Sequence, residues 1–165
     1  MDVLKLSTEW AKAEILSARL VMLFSLLVFL LAAGFWQFGK TGMAKAFIIP
    51  SFIMGILIFS VGIGLYLANK PRVIQFPVEY LKNPDVFIKK ELARTAKSAQ
   101  DFTTVFKVLP AIIIAAAMLI IFLPAAVWRA SSVSIILLIG FLMLVDTQTE
   151  ARNTAYHQAL LNVKR

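Results

Sequence analysis

Apolar residues gather into four long runs, and the polar stretches between them keep a helical rhythm. The runs are residues 20–38, 46–68, 108–127 and 133–145. Three of them approach the ~20 residues that cross a ~30 Å hydrocarbon core. The fourth holds only about 13 strictly apolar residues, ~20 Å of helix. It is read as a span because the chain that enters through the third run has to return; a re-entrant segment is the alternative. The first run is too long for a signal-peptide core, no small-residue cleavage site follows it, and Asp2, Glu9 and Glu14 precede it, so it is expected to stay as a helix.

The polar stretches continue the helices. Leu6, Trp10, Ala13, Ser17, Leu20 and Phe24 recur at spacings of 4 and 3, which predicts one helix through residues 1–19 into the first span. Asn83-Pro84-Asp85 reads as a helix start, with a capping side chain, proline at the first helical position and an acid at the positive dipole end. Ile88, Leu92, Thr95, Ala99, Phe102, Phe106, Leu109 and Ile113 then carry a stripe through residues 84–107 into the third span. Pro110 on that stripe deprives the Phe106 carbonyl of a partner and marks a hinge. Val145, Thr149, Arg152, Tyr156, Ala159 and Val163 extend the fourth span into a helical tail, 146–165.

Residues 69–83 carry Pro71 and Pro77 among Val73, Ile74, Phe76 and Val78, which favours extended backbone. The expectation is an extended strap lying along a bundle of three helices. Outer loops fall at 39–45 and 128–132. The predicted fold is therefore all-α and membrane-integral, two hairpins of transmembrane helices (20–38 with 46–68, and 108–127 with 133–145) whose helices extend into a cytoplasmic bundle.

Charge sets the expected orientation. Lys5, Lys12, Arg19, Lys70, Arg72, Lys82, Lys89, Lys90, Arg94, Lys97, Lys107, Arg152, Lys164 and Arg165 lie on one side, and only Lys40, Lys45 and Arg129 on the other. The richer side faces the cytoplasm by the positive-inside rule. Both termini are then cytoplasmic, in a bacterial-type inner membrane crossed four times. Trp36 and Trp128 end the first and third spans, where indoles favour the interface. A net charge of +8 is thus read as membrane orientation, not as affinity for nucleic acid. The composition agrees: 60% of residues are hydrophobic and 16% charged, against about 45–50% and 25% in ordinary soluble domains.

Candidate chemistry is sparse. The absence of cysteine removes disulfides, thiolate nucleophiles and cysteine metal sites. No glycine loop for phosphate, HExxH or Ser/His/Asp set is present, so no cofactor or catalytic residue is assigned and the reading leans away from an enzyme. Asp146, Glu150, Asn153 and His157 share one helix face. Asp146 and Glu150 are candidates for a proton or cation path, and Asp146, Glu150 and His157 are weak metal candidates; a solvated or salt-bridged face is the favoured alternative. Ser51 with Gly55, and Ser60 with Gly64, are small-residue pairs that permit close helix packing. Lys82, Lys89, Lys90, Arg94 and Lys97 form a basic surface suited to a protein partner or to anionic lipid headgroups.

These features favour a non-enzymatic protein that works through protein–protein contact. It would be an accessory subunit, or an inhibitor or immunity-type partner of another membrane protein, with self-association as a variant. A small oligomeric channel or transporter is the alternative, and an enzyme at the membrane interface ranks last.

Overall fold

In the computed structural model, residues 3–164 are described; Met1, Asp2 and Arg165, the outermost residues of the predicted terminal helices, lie outside the described residues. Six helices follow one another: α1 (Val3–Phe38), α2 (Gly42–Ala46), α3 (Ile48–Asn69), α4 (Arg72–Lys82), α5 (Pro84–Phe122) and α6 (Ala126–Lys164). No strand occurs among the described residues. The chain has four helical segments long and apolar enough to cross a membrane. It is a multi-pass membrane protein by length and composition.

At 1.5 Å per residue the 36 residues of α1 span ~54 Å, and the 39 residues of α5 and of α6 each span ~58 Å. All three overrun a ~30 Å hydrocarbon core. The excess lies toward Val3 in α1, Pro84 in α5 and Lys164 in α6, the end that also holds every acidic residue among the described residues.

The helix starts follow their local chemistry. Asn83 Oδ1 accepts from the Val86 N–H at 3.1 Å, Pro84 opens α5, and Asp85 sits in its first turn. Each is as the sequence pattern predicts, because these groups satisfy or tolerate the orphan N–H groups and positive end of a helix. Helix α5 continues through Pro110 to Phe122 without interruption.

Two connections differ from expectation. Residues 69–83 are not an extended strap but mostly helix, α4. Pro71 occupies the position before the first helical residue, where a missing N–H costs nothing. Pro77 removes one hydrogen bond, to the Val73 carbonyl. Offsetting that loss, Val73, Phe76 and Tyr80, at spacings of 3 and 4, pack into a core with Val3, Trp10, Ala11, Phe87 and Leu160. The strap does lie along the other helices, in helical form. The second difference is the turn between the last two spans, placed at 128–132 by the sequence and observed at 123–125. Leu123 is extended (φ −113°, ψ 100°) because it precedes Pro124. Helix α6 therefore begins at Ala126, and the fourth span gains the length that its 13 apolar residues lacked. The connection between the first two spans also contains helix α2, capped by Thr41 Oγ1 accepting from Ala44 N at 3.1 Å.

Packing is pairwise: α1 runs against α3, and α5 against α6. The buried face of α1 is Ser7, Ala11, Glu14, Ala18, Val21, Ser25, Val28 and Ala32. This seam alternates steps of 4 and 3 and lies one residue beyond the predicted stripe of Leu6, Trp10, Ala13, Ser17, Leu20 and Phe24, of which Trp10 is buried as well and Leu6 packs beside it. Leu20 and Phe24 are exposed. The reason is the solvent: in lipid, large aliphatic side chains face outward without penalty, while small ones let helix backbones approach. Gly62 shows how near they come. A Cβ there would lie 2.6 Å from Met22 Cγ and 3.2 Å from the Ala18 carbonyl oxygen. A second core joins Val21, Val28, Met54 and Ile58 to Leu138, Phe141 and Val145, so α1, α3 and α6 pack together there. Helix α5 is peripheral. Only 6% of its most apolar stretch is buried, against 28% in each of the other three.

Candidate functional site: a buried ionic core

The densest polar chemistry lies where α1, α4, α5 and α6 meet near the termini. Glu14 of α1 and Glu91 of α5 fall on buried helix faces, and each is 2% exposed. A carboxylate so placed must be paired or hydrogen-bonded to remain charged. Both are. Arg152 of α6 donates from Nε to Glu14 Oε1 at 2.8 Å. Arg94 grips Glu91 with Nε and Nη2, at 3.0 and 2.8 Å, in the two-pronged geometry that suits a carboxylate.

Aromatic rings close the layer. The Arg94 guanidinium lies 4.2 Å from the Trp10 ring centroid, and that of Arg72 lies 5.5 Å from it. Trp10 and Tyr156 stack with centroids 5.3 Å apart. These contacts hold cations against aromatic faces in a partly dry site. Tyr156 Oη lies 2.8 Å from Ser7 Oγ and 3.1 Å from Glu91 Oε2, and its one proton is shared between them. Ser7 in turn donates to the Val3 carbonyl at 2.8 Å. Burial, reinforced by the Glu91 charge, pushes the Tyr156 phenol well above its ordinary range. Burial, with Arg94 beside it, lowers Arg72, whose Nη1 donates to Asn69 Oδ1 at 2.6 Å.

One turn further along, Thr95 donates to the Glu91 carbonyl at 2.8 Å, and His157 Nδ1 approaches the same hydroxyl at 2.6 Å. Asn153 Nδ2 donates to the Thr95 carbonyl at 2.9 Å. Trp10 Nε1 and Asn153 Oδ1 are buried without a partner.

This arrangement ties four helices in one register and pairs each of its two carboxylates with an arginine, leaving Arg72 as a third cation against the Trp10 ring. Its two carboxylates are closed to solvent, so they face no reactant. What it offers chemically is cohesion, and it makes the polar end of the bundle a single body.

The residues singled out by the sequence are distributed differently. Asn153 and His157 join the ionic core. Asp146 and Glu150 are half-buried on α6, and no group of three or more His, Asp or Glu gathers among the described residues. Ser51 and Gly55 are buried; a Cβ at Gly55 would meet the Phe29 ring at 2.7 Å. Ser60 and Gly64 face outward, and Gly64 has open space around it. Lys82, Lys89 and Lys97 are exposed, Lys90 pairs with Glu79 at 2.8 Å, and Arg94 turns inward to the core. The basic surface therefore loses Arg94. The described ion pairs do not include Asp85 with Lys89 or Lys97 with Asp101.

Glu14 and Glu91 were not singled out as sites. The available signal was positional: Glu14 lies on the spacing that links Ser7, Val21 and Val28, so a charge falls on a seam of small and apolar residues.

An apolar row remains uncovered on α4. Ile74, Val78 and Leu81 recur at 4 and 3, and are 73%, 63% and 78% exposed; Val86, just into α5, is exposed too. Compared with family models, curated proteins and solved structures, the chain matches none.

Proposed function

We propose that this chain is an inner-membrane protein with both termini in the cytoplasm, and that it acts by holding or restraining another membrane protein. The exposed row on α4 carries the reading. Helix α4 runs beside the terminal, charged part of α1, in the region where the excess helix length projects beyond the bilayer. Ile74, Val78 and Leu81 are left bare by the rest of the chain, and an uncovered apolar row outside the hydrocarbon is the usual mark of a contact surface. The buried ionic core beneath it supports the same reading, because a rigid platform loses little freedom when it docks. The peripheral apolar face of α5 provides a continuation of that surface within the lipid.

The test is purification from native membranes in mild detergent, with size and composition read together. The expected result is a stoichiometric second membrane protein, lost on Val78→Asp with Leu81→Asp while the helical content is unchanged. A wild-type chain that is recovered solely as a lone monomer contradicts the proposal.

A further inference from the structure

At the opposite end of the molecule, the turn ends of α3 and α6 leave a cleft of about 350 Å³ between them. Its walls include Pro50, Ile53 and Leu57 from α3, and Ser131, Ile135 and Leu138 from α6. Both helices run away from the turn end in the same direction, so the lining is ordered by depth. Lys45 stands at the mouth, and below it Ser131 and Ser134 lie among aliphatic side chains. Along α3 the lining runs from Ile49 to Leu57, 8 residues or ~12 Å of helical rise, with Lys45 of α2 beyond its upper end; half of a ~30 Å hydrocarbon core is ~15 Å. The cleft therefore runs along most of one leaflet.

Charge narrows the occupant. Lys40, Lys45 and Arg129 are the basic residues of this end, and every Asp and Glu among the described residues lies toward the other end. Lys45 is exposed and no described ion pair involves it. A cation above a mainly aliphatic channel has the polarity of a single phospholipid. We infer that the α3–α6 cleft is a binding site for an anionic phospholipid, with one acyl chain lying between Ile53 and Leu138 and the headgroup phosphate against Lys45. The inference needs the chain to cross a bilayer but is independent of any protein partner at α4.

Native mass spectrometry of the whole chain, released from mixed micelles doped with phosphatidylglycerol or with phosphatidylcholine, tests it. Wild type should retain one phosphatidylglycerol in preference to phosphatidylcholine. Lys45→Ala should cut that preference about fivefold, the ratio that corresponds to ~1 kcal/mol for one lysine at an anionic headgroup. Lys45→Arg should keep it, and so should Lys40→Ala, which removes a cation outside the cleft. Ile53→Trp, which fills the channel, should reduce retention of both lipids with the helical content intact. Equal retention of the two lipids by wild type overturns the inference, as does an unchanged preference in Lys45→Ala. Ile53→Cys chains that crosslink to each other, with no lipid retained by wild type, would assign the cleft to a second copy and overturn it as well.

Discussion

Replacing Arg152 by alanine isolates the ionic core. Glu14 Oε1 would lose its 2.8 Å partner while its side chain stays about 3% exposed. Removing one member of a buried pair costs about 3–5 kcal/mol, because the remaining charge is left uncompensated. Arg152 itself is 28% exposed, so water enters where its guanidinium was, and the expected loss falls to about 2–3 kcal/mol. The reverse change is milder. Glu14→Ala frees an arginine that can swing its head into water, at a cost of about 1 kcal/mol. The double variant Glu14→Leu with Arg152→Met replaces two charges by packed apolar groups, and should lie within about 1 kcal/mol of wild type. SDS-induced unfolding in mixed micelles, followed by Trp10 fluorescence in a Trp36→Phe, Trp128→Phe background, reads all three. An Arg152→Ala loss below about 0.5 kcal/mol, or a double variant as weak as Arg152→Ala alone, would refute the role of the pair.

The glycines of α3 should divide by what surrounds them. Gly62→Ala drives a methyl toward Met22 and the Ala18 carbonyl and should cost about 1–3 kcal/mol as overpacking, whereas Gly64→Ala meets open space and should gain up to about 1 kcal/mol from helix propensity; the same unfolding assay compares them. Alkaline stability should depend on Tyr156. Its folded phenol is raised above the ordinary value of about 10, so between the two values the folded state holds a proton that the unfolded state has released, and stability falls as pH rises from about 10. Melting temperatures at pH 8 to 11 should decline for wild type, and the decline attributable to this group should vanish in Tyr156→Phe, which is itself weaker at pH 8 by about 1 kcal/mol for the lost hydrogen bonds.

The sequence was most readable where one local rule decides the structure. Asn83-Pro84-Asp85 opens α5 because capping depends on three adjacent residues and little else. The four apolar helices and their polar extensions follow from periodicity alone. The misreadings occur where tertiary context outweighs local preference. Helix α4 forms despite two prolines because Phe76 finds a core supplied by α1, α5 and α6, and no window of residues 69–83 contains that information. The α1 stripe holds at Trp10, which is buried, but within the span the seam shifts by one residue, because lipid accepts Leu20 and Phe24 on the outside while Val21 and Ser25 allow close packing. Ser51 and Gly55 were legible as packing residues, but the same pattern at Ser60 and Gly64 points outward, since a small residue allows close approach without requiring it. The ionic core was half legible: Asn153 and His157 were seen to share a face, but Glu14 and Glu91 come to it from helices remote in sequence.

The account turns on α5 being one rod that is as ordered in its polar half as among the lipids. Amide hydrogen exchange of the whole chain in lipid nanodiscs, resolved along residues 84–122, tests this most directly. Residues 88–102 should be slowed about a thousandfold or more relative to an unstructured peptide, the factor given by ~4 kcal/mol of opening energy, with no unprotected gap before Val108. Exchange of that stretch at the unstructured rate, beside a protected 108–122, would contradict the account.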